Sequence, residues 1–274
     1  MLKQRVLTAL VLAPLALWGI VALPETAFNL AWGGVVLLAA WEWGRLGGLS
    51  GAFAVLYALF MAGLIAVLFW VPGASRWQAA VLLLAGFWWL GMLFRLAGFR
   101  RRPVPHGIRP LPALASGIPV LLGAYFAVVL LRHTPGLGYP YIILLMLLVW
   151  GADTAAYFAG RAFGRHKLLP NVSPGKSWEG VYGALLATVV IAVAGALWFA
   201  LPMERWPAFL AVSLLTVVFS VVGDLNESYF KRRAGVKDSS HLLPGHGGIL
   251  DRIDSLTAAA PIFLMGFNLL VRQP

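Results

Sequence analysis

Apolar residues follow one another in runs of about twenty, and each run is closed by basic or turn-forming residues. A helix that crosses a bilayer needs about 20 apolar residues. Nine stretches reach or approach that length: about 6–23, 26–43, 51–71, 77–94, 112–131, 140–160, 180–201, 207–227 and 255–271. None shows the period-two alternation of a membrane barrel strand. The pattern predicts an all-α, polytopic integral membrane protein with about nine transmembrane helices. Lys3 and Arg5 before the first run outline a signal peptide, but no small-x-small cleavage site closes it, so it reads as a retained span.

Composition points the same way. Hydrophobic residues make up 61% of the chain and charged residues 11%, against about 25% charged in soluble domains. With no cysteine, disulfides, thiolate metal sites and a cysteine nucleophile are excluded. A net charge of +11 would suit nucleic acid. The basic residues lie between apolar runs, however, and not along one soluble face, so no nucleic-acid partner is expected. They orient the chain instead, because positive loops stay cytoplasmic. With the N-terminus inside, seventeen Lys and Arg fall on cytoplasmic segments, and only Arg76, Arg132, Arg205 and Arg272 fall outside.

Residues 1–110 read as scaffold spans facing lipid, and 111–274 as the catalytic region of the same continuous membrane domain. Trp41, Trp43, Trp88 and Trp89 read as interfacial anchors. Glu42, at a span end, reads as a snorkelling carboxylate or one paired near Arg45. Arg100–Arg102 reads as a topological signal, with anionic head groups as a second role.

Three stretches carry candidate chemistry, all on predicted cytoplasmic ends. In the first, Asp153, Tyr157 and Gly160 lie at i, i+4 and i+7 on one helix face, followed by Arg161 and Arg165. An acid inside an apolar span is a functional candidate, or else a structural partner for a neighbouring polar group. In the second, Ser173-Pro174 reads as an N-cap and first helical residue, with Lys176 and Ser177 in the first turn. Such a helix start can hold phosphate, or be a plain cap whose Glu179 complements the dipole. It is not a nucleotide P-loop, since Pro170 stands where the first glycine would fall.

The third stretch, Asp224–Asp254, holds five of the chain's ten acidic residues. Asp224, Glu227, Ser228 and Lys231 share one helix face, and a loop with Arg232, Arg233, Lys237 and Asp238 is expected to follow. Leu243-Pro244-Gly245-His246-Gly247-Gly248 then gives a turn-rich backbone that a ligand can approach closely. Asp251, Arg252 and Asp254 open the last span. Magnesium takes one or two carboxylates plus phosphate and water, which Asp224 and Asp251 could supply. Lys231, Arg232, Lys237 and Arg252 could neutralise a triphosphate, or serve as cytoplasmic anchors.

At these positions the sequence resembles the phosphatidate cytidylyltransferases, also called CDP-diacylglycerol synthases. Their Ser-x-x-Lys-Arg, Lys-Asp and Pro-x-His-Gly-Gly-x-x-Asp-Arg-x-Asp signature is present as Ser228, Lys231, Arg232, Lys237, Asp238, Pro244, His246, Gly247, Gly248, Asp251, Arg252 and Asp254. The Asp153–Arg165 and Ser173–Gly180 stretches also look like that family's, although Gly175 and Ser177 stand where it often has Lys and Thr. The resemblance implies that CTP and phosphatidate give CDP-diacylglycerol and pyrophosphate at a bacterial inner membrane, on its cytoplasmic face. It implies catalytic Asp224, Asp251, Lys231 and Arg252, with Mg2+ on Asp224 and Asp251 and a second cation as an option. Substrate-binding positions would be Asp153, Arg161, Ser173, Lys176, Ser228, Arg232, Lys237, His246, Gly247 and Gly248, with Asp238 and Asp254 orienting their neighbours. Expected partners are CTP, phosphatidate and membrane lipids, with a homodimer left open. A CTP-dependent transferase or kinase on another membrane lipid is the related alternative. An anion transporter would instead need broken spans and polar residues at mid-membrane.

Overall fold

The structure, a computed structural model, describes residues 2–100, 102–243 and 245–271, with side chains described for 10–269 apart from 101 and 244. Arg101, Pro244 and Arg272 lie outside the described residues, as do the side chains of Lys3 and Arg5. Nine α-helices form among the described residues. They are α1 (Leu2–Ala22), α2 (Glu25–Leu46), α3 (Ala52–Trp70), α4 (Ala74–Ala97), α5 (Pro110–Arg132), α6 (Gly138–Phe163), α7 (Trp178–Trp198), α8 (Trp206–Ala234) and α9 (Leu250–Gly266). Each overlaps one predicted stretch. Six are long and apolar enough to cross a membrane: α3, α4 extended to Arg100, α5, α6, α7 and α8 extended back to Met203. Their outer faces carry exposed Trp70, Phe87, Phe94, Leu186 and Leu197, the apolar surface that hydrocarbon would cover.

The helices alternate in direction, as contacts at opposite ends show. At one end the Arg132 guanidinium donates to Leu23 O at 2.9 Å, and Asn29 meets His133 at 3.2 Å. At the other, Arg95 donates to the Tyr229 hydroxyl at 3.0 Å, and Arg233 donates to Gly107 O at 2.6 Å. The C-terminal ends of α2, α4, α6 and α8 therefore gather with the N-terminal ends of α7 and α9. All the candidate chemistry lies there.

Helix α5 is the centre of the bundle. In its most apolar window 78% of residues are buried, against 17% for α3 at the rim. It packs on α2, α4, α6 and α9. This central position corrects the reading of two tryptophans. Trp43 and Trp89 are buried, not interfacial anchors. Trp43 fills the space beside α5 and donates its indole N–H to Ala113 O at 2.8 Å.

Two local corrections bear on the site. Ser173 does not cap a helix. Lys167–Leu169 (β1) and Ser173–Ser177 (β2) form a short antiparallel hairpin between α6 and α7. Ser177 is the N-cap of α7, and its hydroxyl accepts the Gly180 N–H at 3.2 Å. Pro174-Gly175 is a poor helix start with this alternative four residues downstream, where the cap is satisfied directly. Arg232 and Arg233 are still helical, because α8 runs to Ala234. It stops at Gly235, where φ is +71° and the Gly235 and Val236 N–H groups close on Arg232 O and Lys231 O.

Candidate active site

The site is assembled from helix ends and two connecting segments. Helices α8 and α9 lie close because Gly223 has no side chain: a Cβ there would sit 2.5 Å from Asp254 O. This approach sets Asp224 on α8 near Asp254 on α9. The β1–β2 hairpin then carries Lys176 between them. The Lys176 ammonium is 2.7 Å from Asp224 Oδ2, and Asp153 on α6 and Asp254 lie close enough to act on its charge. Burial pulls the Lys176 pKa down, but attraction to Asp224, and after it Asp153 and Asp254, outweighs burial and leaves the ammonium above the ordinary lysine value. Asp153 sits inside an apolar helix, yet its side chain is exposed beside this lysine. The hairpin is held from both sides. Glu179 accepts the His166 backbone N–H at 3.2 Å and pairs with its Nδ1 at 2.6 Å. Arg232 Nε donates to Val172 O at 3.2 Å.

A second cluster lies on α8 and α9. The Lys231 ammonium is 2.6 Å from Glu227 Oε2, one helical turn away, and 2.6 Å from Asp251 Oδ1. All three side chains are withdrawn from solvent, at 13%, 2% and 5% exposure. Asp251 Oδ2 accepts the Gly248 N–H at 2.7 Å, the Ser239 N–H at 2.9 Å and the Ser239 hydroxyl at 2.9 Å. The glycine-rich loop is thus folded onto the start of α9. Gly247, with φ +80°, passes directly over Asp251; a Cβ there would lie 2.5 Å from Asp251 Oδ2.

The arrangement is two lysines, each neutralised by carboxylates, at the same end of the bundle. A polyphosphate can compete for both, since each offers charge-assisted hydrogen bonds. Comparison with known proteins gives this chemistry a family. Residues 3–270 match the model of the cytidylyltransferase family. The chain is 49% identical over 264 residues to a Pseudomonas aeruginosa protein named phosphatidate cytidylyltransferase, covering 96% of each. Proteins of the same name from Haemophilus influenzae and Brucella suis are 38% and 34% identical, covering 96% and 100% of this chain and 97% and 95% of theirs.

The chain belongs to the cytidylyltransferase family.

The remaining expected positions of this cytidylyltransferase chain are spread over the helix ends, the loop and the hairpin. Ser228 lies within 3.4 Å of Asp224 Oδ1. Arg232, Lys237, Asp238 and Arg252 are exposed around the second cluster. His246 lies in the loop, its N–H bonded to Leu243 O at 2.9 Å, while its Nδ1 is buried without a partner. Arg161 is exposed and donates to the Tyr157 hydroxyl at 3.0 Å. Ser173 is part of the hairpin. Asp224 and Asp251, expected to share an ion, engage different lysines.

Glu42 corrects the reading of the first half of the chain. It neither snorkels nor pairs with Arg45, whose guanidinium lies over the Trp41 ring at 5.1 Å. Glu42 is 0% exposed and accepts four hydrogen bonds from the loop and the start of α9. Its local sequence, Trp-Glu-Trp, gives no sign of partners about two hundred residues away. Ser239 and Ser240 were equally silent. Glu227 lies on the helix face predicted to carry Asp224 and Lys231, and its i, i+4 spacing to Lys231 is the signal for their pairing.

Proposed function

We propose that this chain is a phosphatidate cytidylyltransferase. A phosphatidate oxygen attacks the α-phosphorus of CTP, the bond from that phosphorus to the β-bridging oxygen breaks, and CDP-diacylglycerol and pyrophosphate form. The observation that carries this reading is the pair of carboxylate-held lysines, Lys176 and Lys231, joined at one end of a membrane bundle. The full-length likeness to relatives of that name supports it.

The lipid phosphate is already anionic near neutral pH, so no strong base is required. The barrier is repulsion between two anions, and fixed cations lower it by stabilising charge at the transferring phosphoryl group. Lys176 and Lys231 would hold phosphate oxygens, and exposed Arg232, Lys237 and Arg252 would draw the triphosphate in. The donor set suits Mg2+. Carboxylate oxygens are its hard ligands, and Glu227 Oε1 is buried without a partner. Asp251 Oδ2 already has three donors, whereas its Oδ1 meets only the Lys231 ammonium and is the more open oxygen. Asp224 and Asp251, one beside each lysine, would hold the ion as the family resemblance implies, and when bound it supplies neutralising charge to phosphate. Among the described residues no group of three acids or histidines is placed to hold a metal ion, so substrate phosphate and water would have to complete its shell.

The chain crosses the inner membrane nine times with its N-terminus and active site in the cytoplasm. CTP arrives there from water, and phosphatidate arrives laterally from the leaflet. Charge placement supports this orientation. The test is pyrophosphate release by the purified protein in lipid micelles. It should need CTP, phosphatidate and Mg2+ together. Turnover of another lipid but not phosphatidate would favour the related alternative. Wild-type activity in Asp251→Asn would sink the site assignment.

A further inference from the structure

We infer that Glu42 is a positioning residue for the transfer reaction: from α2 it fixes the Asp251 carboxylate, and through it the Lys231 ammonium. The inference rests on the reading that Asp251 and Lys231 work on substrate phosphates.

The geometry is specific. Each Glu42 oxygen takes one hydroxyl and one backbone N–H. Oε1 accepts from Ser240 Oγ at 2.5 Å and Ile249 N at 2.9 Å. Oε2 accepts from Ser239 Oγ at 3.1 Å and Leu250 N at 2.6 Å. The first N–H groups of a helix have no partner within it, and here two acids divide them. Asp251 takes Gly248 N and Glu42 takes the next two. Ser239 stands between the acids, its hydroxyl within hydrogen-bonding distance of Glu42 Oε2 and of Asp251 Oδ2. A Cβ on Gly248 would collide with both Ser239 Oγ and Glu42 Oε1, so the loop fits only against these side chains as they stand. Moving Glu42 therefore moves the helix start and Ser239 together, and both hold Asp251.

A carboxylate is needed, not only a polar group of its size. Glutamine would replace one oxygen by an NH2 facing a backbone N–H, a donor that cannot turn to accept, whichever way it was placed. A residue that only held the fold would lower the amount of folded protein and leave the rate per folded molecule unchanged. A positioning residue lowers kcat itself.

The experiment compares Glu42→Gln, Ser239→Ala, their double variant and Asp251→Asn in the phosphatidate assay, with folded protein measured by thermal unfolding in detergent. Supporting partners of a site typically contribute about 10- to 100-fold. The expected result is a kcat loss of that size per folded molecule in Glu42→Gln, with KM for CTP within about threefold of wild type. Ser239→Ala should lose kcat in the same direction, and the double variant should lose less than the product of the two, because they act on one carboxylate. Should Glu42→Gln fail to fold, Ser239→Ala carries the test, and wild-type kcat there overturns the inference. Inactive Asp251→Asn beside fully active Glu42→Gln overturns it alone. Active Asp251→Asn removes the underlying reading and this inference with it.

Discussion

Replacing Lys231 by methionine keeps most of its length and removes its charge. The ammonium lies 2.6 Å from both Glu227 Oε2 and Asp251 Oδ1. At an effective dielectric of about 20, each contact is worth roughly 6 kcal/mol before the cost of taking the ions from water. That cost is large here, because the three side chains are 13%, 2% and 5% exposed. What remains is the penalty for truncating one member of a buried ionic group, about 3–5 kcal/mol. The variant should be less stable by about that amount in thermal or denaturant unfolding in detergent. Its rate of pyrophosphate release per folded molecule should fall about 10²- to 10³-fold, the usual loss when one fixed donor to developing charge is removed. Adding Glu227→Gln should recover part of the stability, since one unpaired acid is gone, and none of the rate. An unchanged unfolding midpoint would refute the buried ionic triad. A rate within about threefold of wild type would refute the phosphate role of Lys231.

Three further outcomes are expected. Gly223→Ala should cost about 1–3 kcal/mol through overpacking, because its Cβ meets Asp254 O at 2.5 Å; equal unfolding midpoints for variant and wild type would contradict the close α8–α9 contact. Asp224→Asn should bring the alkaline loss of stability to lower pH. The raised Lys176 value means that its pairing is complete below the ordinary lysine range and lost as pH rises through the raised value, so midpoints followed from about pH 8 to about pH 11 should diverge on that side. Because the chain has no cysteine, single cysteines report sidedness cleanly. Lys237→Cys should react with an impermeant maleimide only in inverted vesicles, and Met203→Cys, at the opposite end, only in right-side-out ones.

The helices were legible because a bilayer demands twenty apolar residues in sequence, a signal that needs no tertiary context. Nine α-helices form at the expected places among the described residues, and six of them are long and apolar enough to cross a membrane. The hairpin was not legible: Lys167–Leu169 and Ser173–Ser177 are too short for a period, and Ser-Pro imitates a helix start. The acids and bases of Asp224–Asp254 were found by their crowding, but their partners were not. Which lysine meets which carboxylate depends on how close α8 and α9 pack, and Lys176 arrives from another connection altogether. Trp43 and Glu42 show the same limit from the other side. Both stand at a span end, where an interfacial role is the local expectation, and both are buried because α5 and the start of α9 close over them.

The reach of Glu42 also sets an order of events during synthesis. Its backbone partners, Ile249 and Leu250, follow it by 207 and 208 residues. At about 5–20 residues per second they are made roughly 10 to 40 s after α2. Until then this acid, at the edge of an early span, has no helix start to cap and must remain in contact with water or head groups. The last helix therefore does more than complete the bundle. Its arrival supplies the partners of Glu42, so a chain halted before residue 250 would hold most of its spans and still lack a formed site.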